Sequence, residues 1–142
     1  MEGQAQEEAR GVVTTPLVVC VTGGRARLSD EREQMVWDSL DSVSSDYLRR
    51  GQTFILSHGG ALGVDNAAMH WARERGVFSA RWDAPWAIGR KAGPLRNQLM
   101  MVMMRPDILL SFPGGRGTDH CTETAHDVGV PIIFPYPDGW PA

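Results

Sequence analysis

Lysine is almost missing from this 142-residue chain: Lys91 stands alone beside thirteen arginines. The planar arginine fork suits phosphate better than a lysine point charge, although the count by itself argues no function. Cysteine is scarce too. Cys20 in an apolar run and Cys121 on a helical segment make no disulfide framework and read as buried, reduced thiols. The four histidines, His58, His70, His120 and His126, form no zinc-like pair matched by a second pair, so no metal and no cofactor is expected. No stretch approaches the ~20 apolar residues of a membrane span, so no membrane partner is expected. The acidic start, MEGQAQEEARGVVTT, lacks an apolar signal segment. Residues 1–14 are therefore expected to be a flexible tail, residues 15–142 one domain, and the chain cytoplasmic. Net charge is −3 with no basic stripe, which makes nucleic acid an unexpected partner. Neither GxGxxG nor GK[ST] occurs, so the familiar dinucleotide fingerprint and the P-loop are excluded.

What is present is alternation. PLVVCVTGG (Pro16–Gly24) is an apolar run ending in glycines, as expected of a strand buried on both faces. Asp30 with Glu33 reads as a capping box; Val36, Leu40, Val43 and Tyr47 then recur at helical spacing, and Gly51 stops the helix. TFILSHGG (Thr53–Gly60) repeats the strand-then-glycine pattern. Gly63–Gly76 reads as a helix with Val64, Ala68, Trp71 and Ala72 inward, and Val77–Trp82 as a third strand. A Gly- and Pro-rich loop leads to a helix over Pro94–Met104 whose methionines read as core filler. DILLSF, TDHCTETAHDVG and VPIIFPYP complete the order as strand, helix and strand, and Trp140 is expected to pack on the body. The class is α/β: a single domain with a mostly parallel sheet of five strands, or slightly more, and helices on both faces.

In such sheets ligands bind beyond the carboxyl ends of the strands. Four glycine-bearing segments converge there: Thr22–Arg27, Ser57–Asp65, Trp86–Asn97 and Pro113–Thr118. In the last, Pro113, Gly114, Gly115 and Gly117 let backbone approach a ligand, and Thr118 caps the helix or donates to an oxygen; the amides at the helix start suit an anion. The same turn also serves as a plain strand-to-helix connection. Arg25 follows Gly23 and Gly24 where a guanidinium can fork onto phosphate. Asp65 follows Gly59 and Gly60 as either a capping acid or a carboxylate that accepts from sugar or base. His58 is either a polar contact or a neutral core histidine, and Trp86 either stacks on a base or packs its loop.

VTGGR, SHGGALGVD, AGPLRN and FPGGRGT, in that order, resemble the SLOG superfamily (SMF/DprA–LOG), and within it the YspA-like branch found in phage and bacterial genomes. The resemblance runs from Leu17 to about Ile133. It implies a Rossmann-like domain for a nucleotide or nucleotide-derived ligand, and a homodimer or higher homo-oligomer. Its LOG relatives are phosphoribohydrolases that cleave the N-glycosidic bond of a nucleoside 5′-monophosphate. Their PGGxGTxxE motif matches through Thr118, but its glutamate falls on Cys121. In RNQLM the motif arginine falls on Arg96 and the motif methionine on Met100, with Asn97 in place of a lysine.

That departure divides the expectations. A thiol cannot replace the carboxylate beside an oxocarbenium-like centre at neutral pH. The first reading is a binder that senses, carries or sequesters its ligand, with phosphate on Gly114, Gly115, Gly117 and Thr118, Arg25 and Arg96 as charge partners, and Asp65 and Asn97 toward sugar or base. The second is a nucleotide N-glycosidic hydrolase, with Asp65 or Asp119 as the acid and Arg96 orienting the phosphate. The third is a DprA-like module for single-stranded DNA, which the acidic charge disfavours.

Overall fold

Val19, Cys20 and Val21 are almost completely without exposed surface, although neighbours along a strand point to opposite faces. Such a strand needs cover above and below, and the fold supplies it. The computed structural model describes residues 15–142; the expected tail, 1–14, lies outside the described residues. The strands are β1 (Leu17–Thr22), β2 (Phe54–His58), β3 (Ser79–Arg81), β4 (Ile108–Ser111) and β5 (Ile132–Ile133). They alternate with helices α1 (Asp30–Arg49), α2 (Val64–Arg75), α3 (Ala92–Met104) and α4 (Arg116–Asp127), and a short 3-10 turn, Trp86–Ile88, precedes α3. The sheet order is β3-β2-β1-β4-β5, and every pairing is parallel. The expected Rossmann-like α/β class is what the chain adopts.

Two apolar clusters flank the sheet. On one side Leu40, Val64 and Trp71 meet Val19, Val21 and Leu56. On the other, Met100, Met101 and Cys121 meet Cys20 and Leu109. The Trp71 indole N–H donates to Asp41 at 2.8 Å and its ring stacks on Phe54, which fixes α2 against both α1 and the sheet. Trp140 stacks on Phe112 with centroids 6.1 Å apart, as expected for a packed C-terminal segment.

Several local expectations change. The α1 cap is Ser29, whose Oγ accepts from the Arg32 amide at 3.2 Å, rather than Asp30. Ser29 has the extended backbone a cap requires; Asp30 is already helical and, with Glu31 and Glu33, supplies negative charge to the first turn. The outer strands are shorter than their apolar runs. β3 and β5 are the sheet edges with one neighbour each, and Pro131 and Pro135 lack amide donors on either side of β5. Of the methionines, Met100 and Met101 fill core while Met103 is 66% exposed.

Sheet order is what positions the site. The chain runs outward from β1 through β2 to β3, then returns to place β4 on the other side of β1. The connections after β1 and β4 therefore part in opposite directions and leave a crevice at their carboxyl ends. Thr22 and Ser111, paired across that junction, mark its floor.

Candidate functional site

The glycine turns interlock at this crevice. The Gly24 amide donates to the Pro113 carbonyl at 2.9 Å, and the Gly24 carbonyl accepts from the Val64 amide at 3.1 Å. One residue after β1 thus ties the loop after β4 to the start of α2. Gly63 is required by contact: a Cβ there would run into the carbonyl oxygens of Gly24 and Ala26. Because those obstacles are backbone, Gly63→Ala is expected to cost about 2 kcal/mol. Urea unfolding reads this directly, and an unchanged midpoint would refute the packing.

Beyond the junction, α4 begins without a side-chain cap. Its first backbone bond runs from the Asp119 amide to the Gly115 carbonyl. Among the described residues, the amides of Arg116, Gly117 and Thr118 have no acceptor. A Cβ at Gly115 or Gly117 would meet nothing within 4 Å, so the space in front of these amides is open. It forms a cleft of about 260 Å³ lined also by Thr22, Arg25, Asp65 and Arg96. Three arginines line it, Arg25, Arg96 and Arg116.

Arg96 is held from behind. Its Nη1 donates to the carbonyls of Gly59 (2.8 Å) and Trp82 (3.1 Å), and its Nε to Asn97 Oδ1 (2.9 Å). Nη2 has no acceptor among the described residues. The guanidinium lies so close over Gly59 that a Cβ there would collide with it. Asp65 faces this charge. Its Oδ2 accepts from the amides of Gly59 and Ala61 at 3.1 and 3.2 Å, while Oδ1 is buried without a partner. Burial raises the carboxyl to about 6, against the opposing pull of those amides and of Arg96 and Arg25.

Residues 17–88 match the sequence model of the YspA, cpYpsA-related SLOG family. The chain belongs to that family. It is also 38% identical over 127 residues to the Gene 61 protein of Mycobacterium phage D29, which spans 81% of this chain and 93% of the phage protein.

Within this SLOG domain the sequence candidates part company. Gly23, Arg25, Asp65, Arg96, Asn97, Gly115, Gly117 and Thr118 line the cleft together. Gly24, Gly60, Pro113 and Gly114 shape the loops behind it, with Gly60 at φ +78. Asn97 is 4% exposed and fully employed: its Nδ2 donates to the Gly117 carbonyl and meets His120 Nδ1, while Oδ1 receives Arg96. It brackets α3 to α4. His58 is the buried, neutral histidine of the two readings. Its Nδ1 accepts from the Gly60 amide, and burial with Arg81 nearby lowers its pKa to about 4. Trp86 is not among the cleft-lining residues; Arg25, which is, lies over its ring at 4.9 Å, so a cation covers one face. Asp119 is not brought into the cleft; it is exposed and lines a separate groove beside β5. The helical roll of α4 turns it away from Arg96.

Cys121, where the LOG motif has glutamate, lies buried near Thr22, whose side-chain hydrogen bond partly offsets the burial that pushes the thiol up to about 11. At neutral pH it is an inert thiol. Sequence reasoning did not single out Thr22 or Arg116; the one sits at the carboxyl end of β1, the other at the variable position of PGGxGT, and both positions were visible. Among the described residues no three His, Cys, Asp or Glu side chains converge as a metal site, and no helix is long and apolar enough to cross a membrane.

Proposed function

We propose that this SLOG domain binds a nucleotide or nucleotide-derived ligand, as a sensor, carrier or sequestering protein, with a phosphate on the start of α4. The observation that carries the reading is the set of unpartnered amides at Arg116, Gly117 and Thr118, beside a cleft that Arg96 lines with its Nη2 unengaged. Helix-start amides and a forked cation are the two devices that hold phosphate. Three arginines against the one buried carboxyl of Asp65 leave the cleft lining cationic, which favours an anion there.

A hydrolytic reading rests on Asp65. A buried carboxyl with a free oxygen and a pKa near 6 is placed to donate or accept a proton at neutral pH. In that reading Asp65 supplies the acid that position 121 lacks, and the bond broken is N-glycosidic. A homodimer is supported by an unpartnered apolar stripe on α3: Leu95, Leu99, Val102 and Met103 are 38–66% exposed. The net charge of −3 speaks against single-stranded DNA.

The test is thermal unfolding with nucleoside monophosphates, NAD and ADP-ribose, each assayed in parallel for released base. A ligand at a hundred times its Kd raises stability by about 2.7 kcal/mol. No shift with any of them would overturn the binding reading. No base release from any of them would remove the hydrolytic one, and release that survives in Asp65→Asn would remove Asp65 as its acid.

A further inference from the structure

A second concavity adjoins the cleft and has the opposite character. It is a groove of about 660 Å³ between α4 and the segment after β5. Phe112, Ile132, Phe134 and Tyr136 give it apolar and aromatic walls, and Asp119 and Glu123 lie along its helical side. His126 also faces it, but no lysine or arginine does. The cleft is therefore built for anions and the groove repels them.

The two share Thr118. Gly114 lines the groove and Gly115 the cleft, so the peptide between them forms the divide. That divide carries no side chain: a Cβ on Gly114 would strike Thr118, and Gly115 faces open space. The unpartnered amides at the start of α4 lie at this boundary. A bridging diphosphate placed on them would send one arm to each side, which is how doubly wound sheets hold two-armed ligands at the switch between strand directions.

We propose that the groove is a second half-site, taking the ring of a two-armed nucleotide whose diphosphate sits on the start of α4. The inference rests on the phosphate reading above and deepens it. The charge pattern sets the ligand class. The far arm ends in a stackable ring that is cationic or bears amines facing Asp119 and Glu123, and never in a further phosphate. The proposal thus favours dinucleotides over nucleoside triphosphates of similar bulk.

Calorimetry with AMP, ADP, ATP, NAD+ and NADH tests it. NAD+ is expected to bind about tenfold tighter than ADP, since its ring gains an aromatic wall, and ATP no tighter than ADP. NADH has the same arms with a neutral ring, so it should bind about threefold weaker than NAD+. Phe134→Ala, at a half-exposed side chain, should weaken both dinucleotides about tenfold and leave AMP unchanged. Glu123→Gln should narrow the preference for NAD+ over NADH, also without affecting AMP. Equal affinities for NAD+ and ADP, or equal losses for AMP and NAD+ in these variants, would overturn the half-site while leaving the phosphate reading intact. If none of the probes binds, both fall together.

Discussion

Asp65→Asn is expected to stabilise the unliganded protein at pH 7.5 by about 3 kcal/mol and to make it newly sensitive to acid. The carboxyl has a folded pKa near 6 against an ordinary aspartate value near 3.8. A raised carboxyl contributes stability fully below its unfolded pKa and loses it as pH climbs through the folded one. At pH 7.5 the wild type therefore carries the cost of ionising a buried group. Asparagine avoids that cost and can still accept from Gly59 and Ala61 through its amide oxygen. His58 works in reverse. Its pKa is lowered from 6.5 to about 4, so its contribution is present above 6.5 and lost as pH falls through 4. On unfolding between pH 4 and 6.5, His58 takes up a proton while Asp65 releases one. In the wild type the two slopes largely cancel.

Removing either partner exposes the other. Asp65→Asn should lose about 3 kcal/mol between pH 6.5 and 4. His58→Gln should gain a similar amount over the same range, because only Asp65 remains to titrate. Asp41, held below its usual value by Arg75, adds an acid-labile contribution to all three proteins and drops out of the comparison. Urea unfolding at four pH values gives the slopes. Parallel profiles for wild type and both variants would show that neither group is perturbed as described.

Arg96→Ala should abolish the phosphate site rather than trim it, with affinity for a nucleoside monophosphate falling about a hundredfold. Three losses coincide. The free Nη2 goes, the carbonyls of Gly59 and Trp82 lose their donor, and Asp65 loses a countercharge that lowers its pKa. Truncation also opens space above Gly59, whose missing side chain exists to admit the guanidinium. Arg96→Lys separates charge from geometry: a lysine keeps the cation but lacks the fork that reaches both carbonyls, so only part of the affinity should return. Affinity unchanged in the alanine variant would mean that the anion, if bound, sits elsewhere.

The layered sheet was readable in advance because β1 advertises it. A continuous apolar run ended by glycines has few other uses, and the strands that follow repeat the pattern with short connections. The convergence of the four loops follows from the same fact. What periodicity could not fix was rotation. Asp119 and Asp65 both stand in the first turn of a helix, yet one faces Arg96 and the other faces Tyr136, because the roll of α4 on the sheet is set by Cys121 and Ala125 in the core. Asn97 was readable as a polar group near the ligand. Its occupation by Gly117 and His120 depends on contacts across 20 or more residues, which local pattern does not encode. Ser29 displaced Asp30 as a cap because either residue type suits the position, and backbone conformation decided between them.

The central place of β1 also governs how the molecule comes into being. Its two neighbours, β2 and β4, lie on opposite sides, and β4 is made last of the three. During translation, Leu17–Thr22 therefore waits with one hydrogen-bonding edge bare until Ile108–Ser111 leaves the ribosome. Over that interval the nascent chain carries an apolar strand edge of the kind that seeds aggregation. The amides at the start of α4 do not yet exist, so no ligand can help to close the gap.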